Sequence, residues 1–226
     1  MDGSHDGSRL PDWWETRGRA TLSPELAETS GSGSVANVSH PRKVALREEI
    51  RLKIAGLEKP VRQSASKKIQ DAVLAHASWA AAGTIALYLA LPDEPETRGI
   101  LQAALAAGKR VVMPKIDLTE GLTWWALQGA NLPPTSSLWE PSPEKSLRVP
   151  VEEVGGFLIP GRAFDSRGAR LGRGGGHYDR ALARRSRHAW VAGLFYGVQE
   201  LPEIPQEPHD IRLPGVVTES GWRNFS

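Results

Sequence analysis

Two hydrophobic rhythms alternate along the chain from residue 41 onward. In "HPRKVALREEIRLKIAGL" (40–57), Val44, Ile50, Ile54 and Leu57, flanked by Leu46 and Leu52, recur at helical spacing, and Pro41 suits a first turn. The spacing predicts a second helix over 61–83, closed by Gly83, and a third over 95–108. Continuous apolar runs fall between them: "TIALYLAL" (84–91), "KRVVMPKI" (109–116), "GGFLIP" (155–160) and "AWVAGLFY" (189–196). Such runs suit strands buried on both faces. "GLTWWAL" (121–127) and "LPGVVTES" (213–220) add two more strands, and "HYDRALARRSR" (177–187) predicts another helix. Strands alternating with helices predict an α/β fold: three layers, a mostly parallel open sheet, helices on both faces. Sheets of this kind bind ligands beyond the carboxyl ends of their strands. Trp124 and Trp125 alternate across one strand, so one is expected to face the core and the other a surface or pocket.

Residues 1–40 have neither rhythm. "ETSGSGSVANVSHP" is small, polar and aperiodic, and reads as a disordered N-terminal tail ahead of a single domain over 41–226. Trp13 and Trp14 stand out in the tail, either as loosely packed residues or as a short docking motif. The 226 residues suffice for one sizeable core. A formal net charge of +2 gives no reason to expect nucleic acid, so a basic site must be local. With no cysteine, disulfides, thiolate catalysis and zinc–cysteine sites are excluded. No apolar run approaches the roughly 20 residues that span a bilayer, and the N-terminus lacks the pattern of a signal peptide. A cytoplasmic protein is the expectation.

Local positive charge is found at "RLGRGGGHYDR" (170–180). Gly172, Gly174, Gly175 and Gly176 can adopt backbone angles closed to other residues, so successive amides can converge on an anion. A helix starting just after them would aim its N-terminal dipole at the same place. Arg170 and Arg173 add forked donors that match phosphate oxygens. The stretch is neither a Walker A loop nor a Rossmann fingerprint. By composition it is a phosphate cradle or a plain tight turn. Asp179 is a candidate Mg2+ ligand or a first-turn acid favoured by the dipole.

The longer run "LIPGRAFDSRGARLGRGGGHYDRAL" (158–182) resembles the signature of the 5-formyltetrahydrofolate cyclo-ligase family. Five further stretches keep the family's order: "KVALR" with Lys43 and Arg47, "LPDEPETRGIL" with Glu94 and Thr97, "MPKI", "WEPSP" and "EPHDIRLPGVVTE". The resemblance spans roughly residues 41–220. It implies an ATP- and Mg2+-dependent cyclisation of 5-formyltetrahydrofolate to 5,10-methenyltetrahydrofolate, through phosphorylation of the formyl oxygen. It also implies roles: Lys43, Arg47, Lys115, Arg170, Gly172, Arg173, Gly174, Gly175, Gly176, His177 and Tyr178 on the ATP side, with Arg47 and Tyr178 at the reacting centre. Leu89, Glu94, Arg173 and His177 would contact the folate, and Asp179 and Asp210 would hold Mg2+. Taken alone, Lys43 and Arg47 would be a solvated helix face, Lys115 a snorkelling lysine, and His209 with Asp210 a turn or a metal corner. His177 departs from the family's usual aromatic residue, and Pro95 enters the acidic segment. These departures keep two alternatives in view: a non-catalytic paralogue that binds nucleotide or folate, and an ATP-dependent enzyme acting on another heterocycle. The partners expected are small molecules, not nucleic acid or membrane, with the chain acting as a monomer.

Overall fold

Alternate residues of the buried strands sort into two cores. Ile85, Val111, Leu158, Ala192 and Val217 face one side. Their neighbours Ala86, Val112, Phe157, Val191 and Val216 face the other. The computed structural model describes residues 39–128, 133–134 and 139–225. The tail expected over 1–40, with Trp13 and Trp14, therefore lies outside the described residues except for its last two positions, which already belong to a helix. All described residues fall in one compact unit, Val38–Ser226.

The helices are α1 (Ser39–Ala55), α2 (Lys59–Leu74), α3 (Ala77–Ala81), α4 (Arg98–Ala106) and α5 (His177–Leu182). The strands are β1 (Thr84–Ala86), β2 (Arg110–Asp117), β3 (Gly121–Ala126), β4 (Leu147–Val149), β5 (Gly156–Ile159), β6 (Ala163–Asp165), β7 (Arg170–Leu171), β8 (Trp190–Leu194), β9 (Glu200–Leu201), β10 (Gly215–Thr218) and β11 (Gly221–Asn224). Eight strands form the main sheet, in the order β11-β10-β8-β5-β1-β2-β3-β4. The five from β10 to β2 are parallel, and antiparallel strands border them on both sides. Helices α1 to α4 bury Ile50, Ile54, Ile69, Val73, Trp79, Ile100 and Leu101 in the first core. Helix α5 covers the second core with Ala181 and Leu182, and the small sheet β7-β6-β9 packs into both, with Phe164 in the second and Ala163, Leu171 and Leu201 in the first. The expected α/β architecture, a mostly parallel sheet with helices on both faces, is borne out. Trp124 is the buried member of the tryptophan pair, and Trp125 is half-buried.

Four expected elements differ. The strand expected over 84–91 ends at Ala86. The helix expected over 61–83 is two helices, because the imidazole Nδ1 of His76 accepts a bond from Ser78 N (3.2 Å) and restarts the chain as α3. The helix expected over 177–187 stops at Leu182, and the amides of Arg184 and Arg185 tighten onto carbonyls three residues back. Val44, counted with the apolar stripe of α1, is exposed, whereas Lys43 is buried. Among the described residues no helix is long and apolar enough to cross a membrane.

Candidate active site

On α1, Lys43 and Arg47 stand one turn apart, in line with Ile50 and Ile54. The buried stripe of this helix thus begins with two cations, which need polar partners. Both have them. The Lys43 ammonium donates to Asp210 Oδ2 at 2.6 Å and lies 3.5 Å from Glu207. Arg47 Nε donates to the Gly172 carbonyl at 2.8 Å, joining α1 to the glycine stretch.

Asp165 shapes the approach to that stretch. Fully buried at the end of β6, it accepts bonds from the amides of Arg167, Ala169 and Ile204 and so holds the β6–β7 hairpin. The hairpin delivers Arg170, also buried, to the site. Arg170 donates to Asp179 at 2.8 Å and to the Pro160 carbonyl at 3.3 Å, and its guanidinium lies 5.7 Å from the centre of the Tyr178 ring. Tyr178 meets Trp124 edge-on at 6.1 Å. Past β7, Gly174 (φ 115°) and Gly176 (φ 61°) take conformations that side chains disfavour. Gly176 leads directly into α5, whose Arg180 reaches back to the Gly175 carbonyl (2.8 Å) and to His177 Nδ1 (3.3 Å). Gly174 and Gly175 are exposed.

An acidic turn follows β1 on the other side of the site. The Leu91 amide donates to Glu94 Oε2 (3.0 Å), and Arg173 binds both Glu94 (2.8 Å) and Asp93 (2.7 Å). Arg162 also pairs with Asp93. Burial, then the neighbouring Arg162 charge, lowers the Arg47 pKa, but a guanidinium remains charged at any physiological pH. Burial raises the Asp93 pKa, but Arg173 and Arg162 together outweigh it and hold the carboxyl below its ordinary range. Burial pushes the Tyr178 hydroxyl up, and Glu94 pushes it further. His177 is pushed down by burial and by Arg180, which favours a neutral imidazole near pH 7.

The structure therefore brings Lys43, Arg47, Glu94, Arg170, Gly172, Arg173, Gly174, Gly175, Gly176, His177, Tyr178, Asp179 and Asp210 into one connected network. Lys115 binds elsewhere, to the Pro141 carbonyl (3.2 Å) and Glu140 (3.8 Å). Leu89 is half-buried against the first core. Sequence reasoning missed Arg162, Asp93 and Glu207. Arg162 and Asp93 sit inside the quoted segments, yet nothing in their spacing pairs residues 69 positions apart.

Asp179 and Asp210, the expected Mg2+ ligands, are each bound to a basic side chain. They occupy one corner, since Asp179 Oδ1 also accepts from the Ile211 amide at 3.2 Å. Glu207, His209 and Asp210 bring donor atoms within 4.8 Å of one another. Two of those three are carboxylates, the oxygen chemistry that Mg2+ takes. The donor set fits that ion, with Glu207 as an oxygen donor the sequence reading did not name.

A profile of the 5-formyltetrahydrofolate cyclo-ligase family matches residues 39–219. The chain belongs to the 5-formyltetrahydrofolate cyclo-ligase family. The cyclo-ligase of Mus musculus is 30% identical over 191 residues, which cover 78% of this chain and 93% of the mouse protein. That of Mycolicibacterium smegmatis is 33% identical over 141 residues, 60% of this chain and 73% of the relative. The solved structure of Aquifex aeolicus 5,10-methenyltetrahydrofolate synthetase superposes with a TM-score of 0.70 at 26% identity, covering 80% of this chain and 92% of the other. The family match begins at the first residue of α1, so the helix that carries Lys43 and Arg47 belongs to the cyclo-ligase domain.

Proposed function

We propose that this protein catalyses the ATP-dependent closure of 5-formyltetrahydrofolate to 5,10-methenyltetrahydrofolate. The observation that carries the reading is the meeting of Lys43, Arg47, Arg170 and Arg173 around one glycine loop, opposite the acidic turn of Asp93 and Glu94. Cations beside exposed glycine amides suit a triphosphate, and a carboxylate suits the donor edge of a pterin.

The chemistry follows from the leaving group. A formamide oxygen leaves poorly. When it attacks the γ-phosphorus, the bond to ADP breaks and the oxygen is carried as a phosphate ester. The neighbouring folate nitrogen then attacks the formyl carbon and gives up its proton. The carbon–oxygen bond breaks towards phosphate, and the products are the methenyl ring, ADP and inorganic phosphate. The site's task is to hold the two substrates in line and to neutralise charge. In this reading Lys43, Arg47 and Arg170 take phosphate oxygens, with Arg47 nearest the transferring group. The loop amides of 172–176 cradle the chain of phosphates. Tyr178, kept protonated by its surroundings, lies between nucleotide and folate. Asp179 and Asp210, with Glu207, would hold Mg2+, which supplies charge neutralisation for the triphosphate. A monomer acting in the cytoplasm is the proposed form and setting.

The test is direct. Purified protein mixed with ATP, Mg2+ and 5-formyltetrahydrofolate should generate the absorbance of the methenyl product, with one ADP per turnover. Nucleotide and folate binding without product would leave a binding protein in place of an enzyme. Turnover of a different heterocycle would replace the substrate.

A further inference from the structure

Tyr88 lies two residues past the end of β1, at the carboxyl edge of the sheet, and is 3% exposed. Its backbone is fixed: the carbonyl accepts a 2.6 Å bond from Thr97 Oγ1, and Thr97 is itself fully buried. Its hydroxyl is buried and has no hydrogen-bond partner among the described residues. The contrast with Tyr196 is direct. That hydroxyl donates to the Glu94 carbonyl (3.0 Å) and meets Ser66 Oγ (3.2 Å).

A buried hydroxyl without a partner loses its bonds to water and gains none in return. Phenylalanine would fill the same space without that cost, so the oxygen needs a reason. Its surroundings supply one. Tyr88 stands at the base of the acidic turn of the candidate site: Thr97 Oγ1 closes that turn onto the Tyr88 carbonyl, and within it Glu94 accepts from the Leu91 amide. Burial, reinforced by Glu94, keeps the Tyr88 hydroxyl protonated, and a protonated hydroxyl can donate.

A reduced pterin presents an edge with a fixed order: the 2-amino group, the N3–H and then the 4-oxo oxygen, two donors followed by an acceptor. Glu94 can accept from the two donors. The acceptor beside them needs a donor of its own. We propose that the Tyr88 hydroxyl is a substrate-binding group, donating to the 4-oxo oxygen of the bound reduced folate while Glu94 holds the adjacent donor pair. Arg173 now holds Glu94 and Asp93 together. Its transfer to a phosphate would release the carboxylate for the pterin. A site whose buried polar groups match a ligand's edge rejects ligands that leave those groups unpaired. The inference rests on the reading of the site as that of a folate cyclo-ligase.

Tyr88→Phe removes one oxygen atom and separates the possibilities. In the protein without ligands, the variant should melt at the same temperature as the parent or higher, because an unpaired group has been removed. Its Kd for 5-formyltetrahydrofolate, measured by calorimetry, should rise about tenfold, the equivalent of one hydrogen bond. Its Kd for ATP should not change. Unchanged folate affinity overturns the proposal. So does a lower melting temperature with both ligands weakened together, which marks the hydroxyl as structural. If the parent protein itself fails to bind 5-formyltetrahydrofolate, the functional reading falls, an outcome visible before the variant is made.

Discussion

Each acidic residue of the site answers to a particular cation, and that shifts what its loss should do. Asp179 accepts from Arg170, whose side chain is 3% exposed. An Asp179→Asn protein keeps an acceptor but loses the charge, so it should lose about 1.5–3 kcal/mol of stability, the scale of a charge-assisted bond. Denaturant unfolding without nucleotide or metal checks this, and an unchanged midpoint would leave Asp179 with a ligand role alone. Asp93 makes a prediction in pH. Its folded pKa lies below the ordinary value. The stability it contributes is therefore complete above the unfolded value, about 3.9. It is lost as pH falls from there through the depressed folded pKa. Unfolding curves of the parent and Asp93→Asn should stand apart at pH 6, and the gap should narrow as pH falls below about 3.9; a gap that does not narrow there would refute this. Single residues also show where sequence reading stopped. "RLGRGGG" reads as a phosphate cradle or a tight turn, but no local pattern says that Arg173 turns to Glu94 and Asp93, 79 and 80 positions away.

At the scale of elements, the glycine loop and α5 act as one piece. Arg180 is tied to the Gly175 carbonyl, and a Cβ built on Gly176 would come within 2.8 Å of the Arg180 guanidinium. Gly176→Ala meets both that clash and a left-handed backbone, which costs about 1–2 kcal/mol for a residue with a side chain. Steady-state kinetics should show a raised KM for ATP with a smaller change in kcat. Equal KM values would detach the loop from the nucleotide. Helix α1 explains a misreading. Its phase was taken from Val44, yet the buried face runs through Lys43, Arg47, Ile50 and Ile54. A hydrophobic period cannot reveal a buried stripe that begins with paired cations. The buried strands of the main sheet were legible because an apolar run states its burial directly, although the run at 84–91 yields a strand of only three residues. The strands β6, β7 and β9, two or three residues long, offer no period to read, and their position comes from Asp165 and its amide partners.

On the scale of the whole molecule, the family match and the first helix both start at residue 39. A chain beginning at Val38 should therefore retain the turnover and melting temperature of the full protein. Loss of turnover with unchanged melting would bring the first 37 residues into the site. The α/β class could be read from alternating periods, since a parallel sheet needs helices between its strands. The site could be read only as segments, because their meeting depends on the order of the strands, which no single segment encodes. The Lys43–Asp210 contact gives that order a temporal meaning. The two residues are 167 positions apart. A chain emerging from the ribosome displays Lys43 and Arg47 well before Asp210. Until that residue arrives, Lys43 lacks the Asp210 carboxylate, so on the proposed reading the corner that takes phosphate is completed only after 167 further residues have been made.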